Sequence, residues 1–178
     1  MKLTGRSKLS EVALCVGKAL EAAGIRAVLT GGACACLYSG GLYQSSDLDF
    51  IIQGSISSEK LDSALKEVGY HRKGHHYEHS AAPFVVEFPA GPLAIGRDFR
   101  IDPVAYRIRK ATILALSPTD SCRDRLAAFY HWQDRQSLRV AVQIARRHRV
   151  NLDVLRRWSE QEGAKAGFED FLALRRSG

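Results

Sequence analysis

The sequence predicts an α/β (α+β) fold, a β-sheet flanked by helices, with a C-terminal helical tail. Three observations predict it. Short β-forming runs alternate with stretches of helical spacing up to about Leu116. From Ser117 onward the pattern is helical only. Hydrophobic residues make up 46% and charged residues 25% of 178, the balance of a globular chain long enough to bury a useful core. The expected organisation is a core over residues 1–116 and a helical region over 117–178 packed on it.

The elements follow in order. Leu9 to Ala23 carries Val12, Ala13, Val16 and Leu20 at helical spacing, and Gly24 stops it. Ile25 to Thr30 is a short apolar run that suits a buried strand. Gly31-Gly32 follows at once, then a small apolar helix over Ala33 to Ser39, broken by Gly40-Gly41. Leu48, Phe50 and Ile52 alternate with Asp47, Asp49 and Ile51, a period-two strand. Ser57 begins a helix with the stripe Leu61, Leu65 and Val68. Tyr70 to Ser80 is polar and histidine-rich, as an exposed hairpin or loop would be. Phe84 to Phe88 reads as a strand, Gly91 to Arg100 as a loop, and Val104 to Leu116 as one or two strands.

Ser117-Pro118-Thr119-Asp120 is a helix start: a capping serine, a proline at the first helical position and an acid three residues after the cap. Helix is expected from there to Arg147, with a break near Asp134. Leu152 to Gln161 and Phe168 to Leu174 supply two shorter helices.

No apolar run approaches the roughly 20 residues that cross a bilayer. The start of the chain reads as an amphipathic helix, not a signal-peptide core, so a cytoplasmic protein is expected, with no membrane partner. Cys15, Cys34, Cys36 and Cys122 read as small buried thiols of a reducing compartment; the Cys34–Cys36 spacing is too close for an ordinary disulfide. The net charge of +7 favours anionic partners, nucleotides or nucleic acid.

The chemistry centres on Asp47 and Asp49. On a strand their side chains share one face, opposite Leu48 and Phe50. Two carboxylates side by side repel unless a cation lies between them. Magnesium suits the position, because it prefers oxygen ligands and keeps places open for phosphate. Two such ions about 3.5–4 Å apart can clamp a phosphoryl displacement. Upstream, Gly31-Gly32 joins a strand to a helix start, where backbone N–H groups attract anions. Ser45, two residues before Asp47, shares its face and can donate to a phosphate oxygen. Glu87 faces away from Phe84, Val86 and Phe88 and supplies a third carboxylate that needs a partner.

The run Leu29-Thr30-Gly31-Gly32-Ala33, followed by Gly40 to Phe50 with Ser45-Ser46-Asp47-Leu48-Asp49, resembles the DNA polymerase β-like nucleotidyltransferase superfamily. It is most similar to the minimal, abortive-infection (AbiEii-like) toxin branch. The resemblance covers Ile25 to Ile52 and extends to Glu87. It implies a nucleotidyltransferase fold, a mixed sheet flanked by helices. It implies Asp47 and Asp49 as magnesium ligands, with Glu87 either completing the metal set or activating the acceptor hydroxyl. Gly31, Gly32 and Ser45 become triphosphate contacts. Many relatives carry arginine where this chain has Tyr43.

Cys122-Arg123-Asp124-Arg125-Leu126 also resembles this branch, with Arg123 steadying phosphates and Asp124 orienting it. The activity implied is magnesium-dependent transfer of a nucleoside monophosphate from an NTP such as ATP to a hydroxyl of tRNA, a protein or a small molecule. The setting implied is a toxin with a cognate antitoxin. The alternative is a catalytically inactive module of the same fold that binds nucleotide or nucleic acid.

Three features are set aside. His71, His75, His76 and His79 lie on an exposed segment that lacks the closed geometry of a zinc site. The basic tail, including Arg146, Arg147, Arg156, Arg157, Arg175 and Arg176, reads as solvated helix faces. Tyr130 and Trp132 read as core packing.

Overall fold

The computed structural model describes residues 2–177. Helix α1 (Leu9–Ala22) leads to β1 (Ala27–Leu29), α2 (Gly31–Ser39) and β2 (Asp47–Ile52). Then come α3 (Ser58–Lys66), β3 (Tyr70–Lys73), β4 (His76–His79) and β5 (Val85–Glu87). Strands β6 (Val104–Ile108) and β7 (Ala111–Ala115) form a hairpin, turned at Arg109 with φ 57°. Four helices end the chain: α4 (Pro118–Trp132), α5 (Arg135–Arg147), α6 (Leu152–Gln161) and α7 (Lys165–Arg176).

The strands form one seven-stranded mixed sheet in the order β3-β4-β5-β2-β1-β7-β6. β1 runs antiparallel to β2 and parallel to β7, and β2 runs parallel to β5. The outer pairs are antiparallel hairpins. The central strands carry the apolar alternation that the sequence shows: Val28, Leu29 and Leu48 are fully buried and Phe50 nearly so. α1 packs on α3, β1 and β7, while α2 packs on β2 and against α4 and α5. One hydrophobic cluster includes Val16, Leu29, Leu48, Leu126, Ile144 and Phe168, so the C-terminal helices share the core of the sheet.

The histidine-rich segment forms paired strands for a local reason. Tyr70 and Tyr77 turn inward and are buried, and the residues between them stay at least partly exposed. The Tyr70 hydroxyl donates to the Phe84 carbonyl at 3.0 Å and the Tyr77 hydroxyl to Asp62 Oδ1 at 2.6 Å. The break near Asp134 is present. Gln133 adopts φ 55°, and Asp134 caps α5 by accepting from the Gln136 amide at 2.9 Å. Cys34, Cys36 and Cys122 are free thiols; burial pushes Cys34 up to about 12.

The start of α4 is tied by Ser117, whose Oγ accepts from the Asp120 amide at 3.1 Å and donates to Asp120 Oδ2 at 2.7 Å. Ser117→Ala removes both bonds. It is expected to cost about 1 kcal/mol, read as a fall of roughly 2–4 °C in the thermal melting temperature for a chain of this size.

Candidate functional site

β2 positions the acidic pair. Leu48 and Phe50 enter the core, so Asp47 and Asp49 share the opposite face, each half-buried. β5 lies beside β2 in parallel register, Leu48 opposite Val86 and Asp49 opposite Glu87. Leu48 and Val86 are both fully buried, which puts Asp49 and Glu87 together on the other face. The Ser45 hydroxyl donates to Asp47 Oδ1 at 2.7 Å. Burial, followed by the charges of Asp47, Glu87 and Asp124, pushes the Asp49 carboxyl up to about 6, and Arg125 partly offsets them.

The Gly31-Gly32 turn packs directly on this group. α2 starts at Gly31, which has φ 59°, and a Cβ there would run into Asp49 Oδ2. A Cβ on Gly32 would lie 2.6 Å from Ser45 Oγ and 3.2 Å from the Tyr43 hydroxyl. The room left by the missing side chains is therefore occupied by the chain's own carboxylate and hydroxyls. The Thr30 amide donates to the Asp49 carbonyl at 2.9 Å, and no side chain caps the start of α2. Its first N–H groups are left for another acceptor.

Two arginines change places with respect to the sequence reading. Arg123, expected at the phosphates, is only 3% exposed and lies elsewhere. It pairs with Asp98 at 2.5 Å and Asp120 at 3.0 Å, and its guanidinium sits 5.3 Å over the Trp158 ring. Asp124 binds Arg125, at 2.6 Å, and not Arg123. Arg125 joins Thr30, Gly31, Asp49 and Asp124 in lining a cleft of about 400 Å³. Residues two apart on a helix point about 200° apart, so one arginine enters the site only if the other leaves it. Nothing in the local sequence selects which.

Tyr130 is packed, stacked on Trp158 with ring centres 5.7 Å apart and bonded to Ser159 Oγ at 2.8 Å. Trp132 differs from its expected core position: it is 81% exposed at the end of α4. Of the four histidines, His76 and His79 serve local structure and His71 and His75 are exposed. His79 Nδ1 accepts from the Ala81 and Ala82 amides, and His76 pairs with Glu78 at 3.0 Å.

Among the described residues, no three or more His, Cys, Asp or Glu side chains are grouped so as to hold a metal ion by themselves. Asp47, Asp49 and Glu87 are neighbours without forming a closed three-ligand set. Magnesium commonly binds through one or two carboxylates, waters and substrate phosphates. Asp47 and Asp49 fit that mode, as a seat completed by a phosphate ligand.

Solved structures share this fold. The chain is similar to an antigenic nucleotidyltransferase-like protein from Paracoccidioides brasiliensis, with a TM-score of 0.60 and 18% identity, covering 79% of this chain and 77% of that one. It is also similar to the antibiotic-resistance factor ANT(2'')-Ia, with a TM-score of 0.54 and 13% identity, covering 94% of this chain and 91% of that one. No protein-family model and no curated protein sequence matches. The fold is that of the nucleotidyltransferase-like structures, a mixed seven-stranded sheet flanked by helices.

The raised pKa of Asp49 has a sign that can be tested. Between its ordinary value of 3.8 and about 6, the folded chain holds a proton that the unfolded chain has lost. Stability therefore falls as pH rises through that window, and above it the ionised carboxylate is a standing cost. Asp49→Asn is expected to stabilise the chain at pH 7.5 by about 1–2 kcal/mol, allowing for solvent screening. It should also flatten the decline between pH 4 and 6. Melting curves across pH check both; an unchanged profile would show that Asp49 titrates normally.

Proposed function

We propose that this chain is a nucleotidyltransferase that moves a nucleoside monophosphate from an NTP to a hydroxyl acceptor. One observation carries the reading: the bare start of α2 is interlocked with Asp49 and Ser45, so an anion site and a carboxylate pair occur at one place. The shared fold supports it.

On this reading the first N–H groups of α2 and the Ser45 hydroxyl bind the phosphates. Asp47 and Asp49 would hold magnesium, whose chemistry there is to neutralise phosphate charge and polarise the reacting phosphorus. Glu87, beside Asp49 in register, holds or deprotonates the acceptor hydroxyl. Arg125, held by Asp124 in the cleft beside Asp49, faces the nucleotide and takes the phosphate-steadying part first assigned to Arg123. Positioning and charge neutralisation would supply most of the rate.

The likeness of Leu29 to Asp49 to the abortive-infection branch supports a toxin restrained by an antitoxin in the cytoplasm. Among the described residues no helix is long and apolar enough to cross a membrane. The alternative is a nucleotide-binding module without turnover, which needs no closed three-carboxylate set, and none is grouped among the described residues.

Incubation with each α-labelled NTP, magnesium and total RNA, protein or small-molecule extract decides between them. Label transfer is expected, and loss of about 10³-fold or more in Asp47→Ala and Asp49→Ala, since electrostatic groups at such sites carry terms of that size. Nucleotide binding that needs no magnesium, with no transfer to any fraction, would leave the binding module.

The two arginines separate by their variants. Arg125→Gln is expected to weaken NTP binding by about tenfold, the loss of one charge-assisted contact. Arg123→Gln should instead lower stability by about 2–4 kcal/mol through its orphaned carboxylates and leave NTP affinity unchanged in the folded fraction. Calorimetric titration and thermal melting of both variants check this.

A further inference from the structure

Two hydroxyls stand over the bare start of α2. A Cβ on Gly32, the second residue of the helix, would lie 2.6 Å from Ser45 Oγ and 3.2 Å from the Tyr43 hydroxyl. A hydroxyl has one proton to give. Ser45 gives its proton to Asp47 Oδ1, so it can donate to another oxygen only by releasing Asp47. Among the described residues the Tyr43 hydroxyl has no acceptor, and Tyr43 donates through its amide only. Its proton is therefore uncommitted, at a place where the first N–H groups of the helix also lack a side-chain cap.

The ring is held from its other end. The Tyr43 amide donates to Ser39 Oγ at 3.4 Å, and Ser39, fully buried, donates to the Cys36 carbonyl at 3.1 Å. Ser39 and Gly32 are seven residues apart, two turns on one face of α2. The Tyr43 side chain thus runs back along that face, from the last turn of the helix to the first. Its ring is half-buried against the hydrophobic cluster, and the hydroxyl is the atom that reaches Gly32. Arg125, which lines the Asp49 cleft with Gly31, lies within electrostatic reach of Tyr43. A charged donor and a neutral one are therefore brought to one helix start by two different elements.

We propose that Tyr43 is a substrate-binding residue whose hydroxyl donates to a phosphate oxygen of the NTP at the start of α2, an inference that rests on the nucleotide-binding part of the reading above. It supplies the bond that Ser45 can supply only by giving up Asp47. The hydroxyl, and not the ring, is what Tyr43 brings to the helix start, which selects a phosphate over a nucleobase as its partner. A hydrogen bond to a charged acceptor is stronger than one between neutral groups. A ring already packed in position loses little freedom in making it.

The test compares the full chain with Tyr43→Phe, which keeps the ring and removes only the hydroxyl. Calorimetric titrations with the four NTPs and with inorganic tripolyphosphate, in magnesium, read the affinities; tripolyphosphate is also read by its competition with the NTP bound most tightly. Tyr43→Phe is expected to weaken both NTP and tripolyphosphate by about tenfold, the loss of one hydrogen bond to a charged acceptor. Its melting temperature without ligand should be unchanged, since the hydroxyl has no partner within the chain. Unchanged NTP affinity in Tyr43→Phe overturns the assignment and leaves the nucleotide reading standing. So does a loss for NTP without one for tripolyphosphate, or tripolyphosphate that neither binds nor competes, because the contact is then to the nucleoside. A fall in melting temperature that accompanies the loss of affinity overturns it as well, because the hydroxyl is then structural. If the unaltered chain binds neither NTP nor tripolyphosphate, the assignment falls together with the nucleotide reading.

Discussion

The contact on which the rest depends is the seating of Asp49 against the first residue of α2. A charged group is placed where a side chain on Gly31 would collide with it, and the helix start it touches has no cap of its own. The arrangement joins three levels of structure. Antiparallel pairing of β1 with β2 brings Leu29 opposite Phe50, and the next residue, Thr30, donates its amide to Asp49. The chain must then enter a helix within one residue, through a backbone conformation with positive φ that glycine adopts at little cost. Parallel pairing of β2 with β5 sets Glu87 beside the same carboxylate. A local turn and two strand pairings thus concentrate negative charge against an anion-attracting helix end. That tension is what a substrate carrying phosphates and a cation would relieve.

The C-terminal helices serve the site through the same core. α4 and α5 rest on α2, so the helix that begins at Gly31 is held from behind. The face of α4 turned to the cleft offers Arg125 with its partner Asp124. Its other side carries Arg123, which ties the 91–100 loop to α4 and α6 through Asp98 and Trp158. Further bonds reinforce the tie: the Trp158 indole donates to the Ile95 carbonyl at 3.3 Å, and the Arg97 amide donates to Glu162 at 3.0 Å. One arginine thereby stabilises the wall of the cleft, and its neighbour two residues on lines it.

Much of the architecture was legible in the residues. Period two in Asp47 to Ile52, helical spacing in Leu9 to Leu20, and the Ser117-Pro118 cap are local patterns, and local patterns survive folding when the core agrees with them. The common face of Asp47 and Asp49 was legible for the same reason, since alternation along one strand decides it; Ser45 precedes the strand and meets Asp47 through its hydroxyl. Glu87 was placed on the polar face of its strand, but its register against Asp49 needed the parallel pairing of two strands some 40 residues apart in sequence. The role of Gly31-Gly32 was half legible. The turn was visible as a site that a phosphate could approach, whereas the residues that fill its bare side are Asp49 and Ser45.

By itself the sequence determined most of the elements and the face of β2 that carries Asp47 and Asp49, because each depends on residues within one turn or one strand. The tertiary structure decided which arginine lines the cleft with Asp49, how the strands are ordered, and that Trp132 faces outward while Tyr130 packs. It also decided that Asp49 shares a cleft with Gly31 and Arg125. These properties arise where distant segments compete for the same space. Arg123 and Arg125 are equal in charge and reach, and the choice between them is made by Asp98 and Trp158, which lie 25 residues before and 35 residues after Arg123.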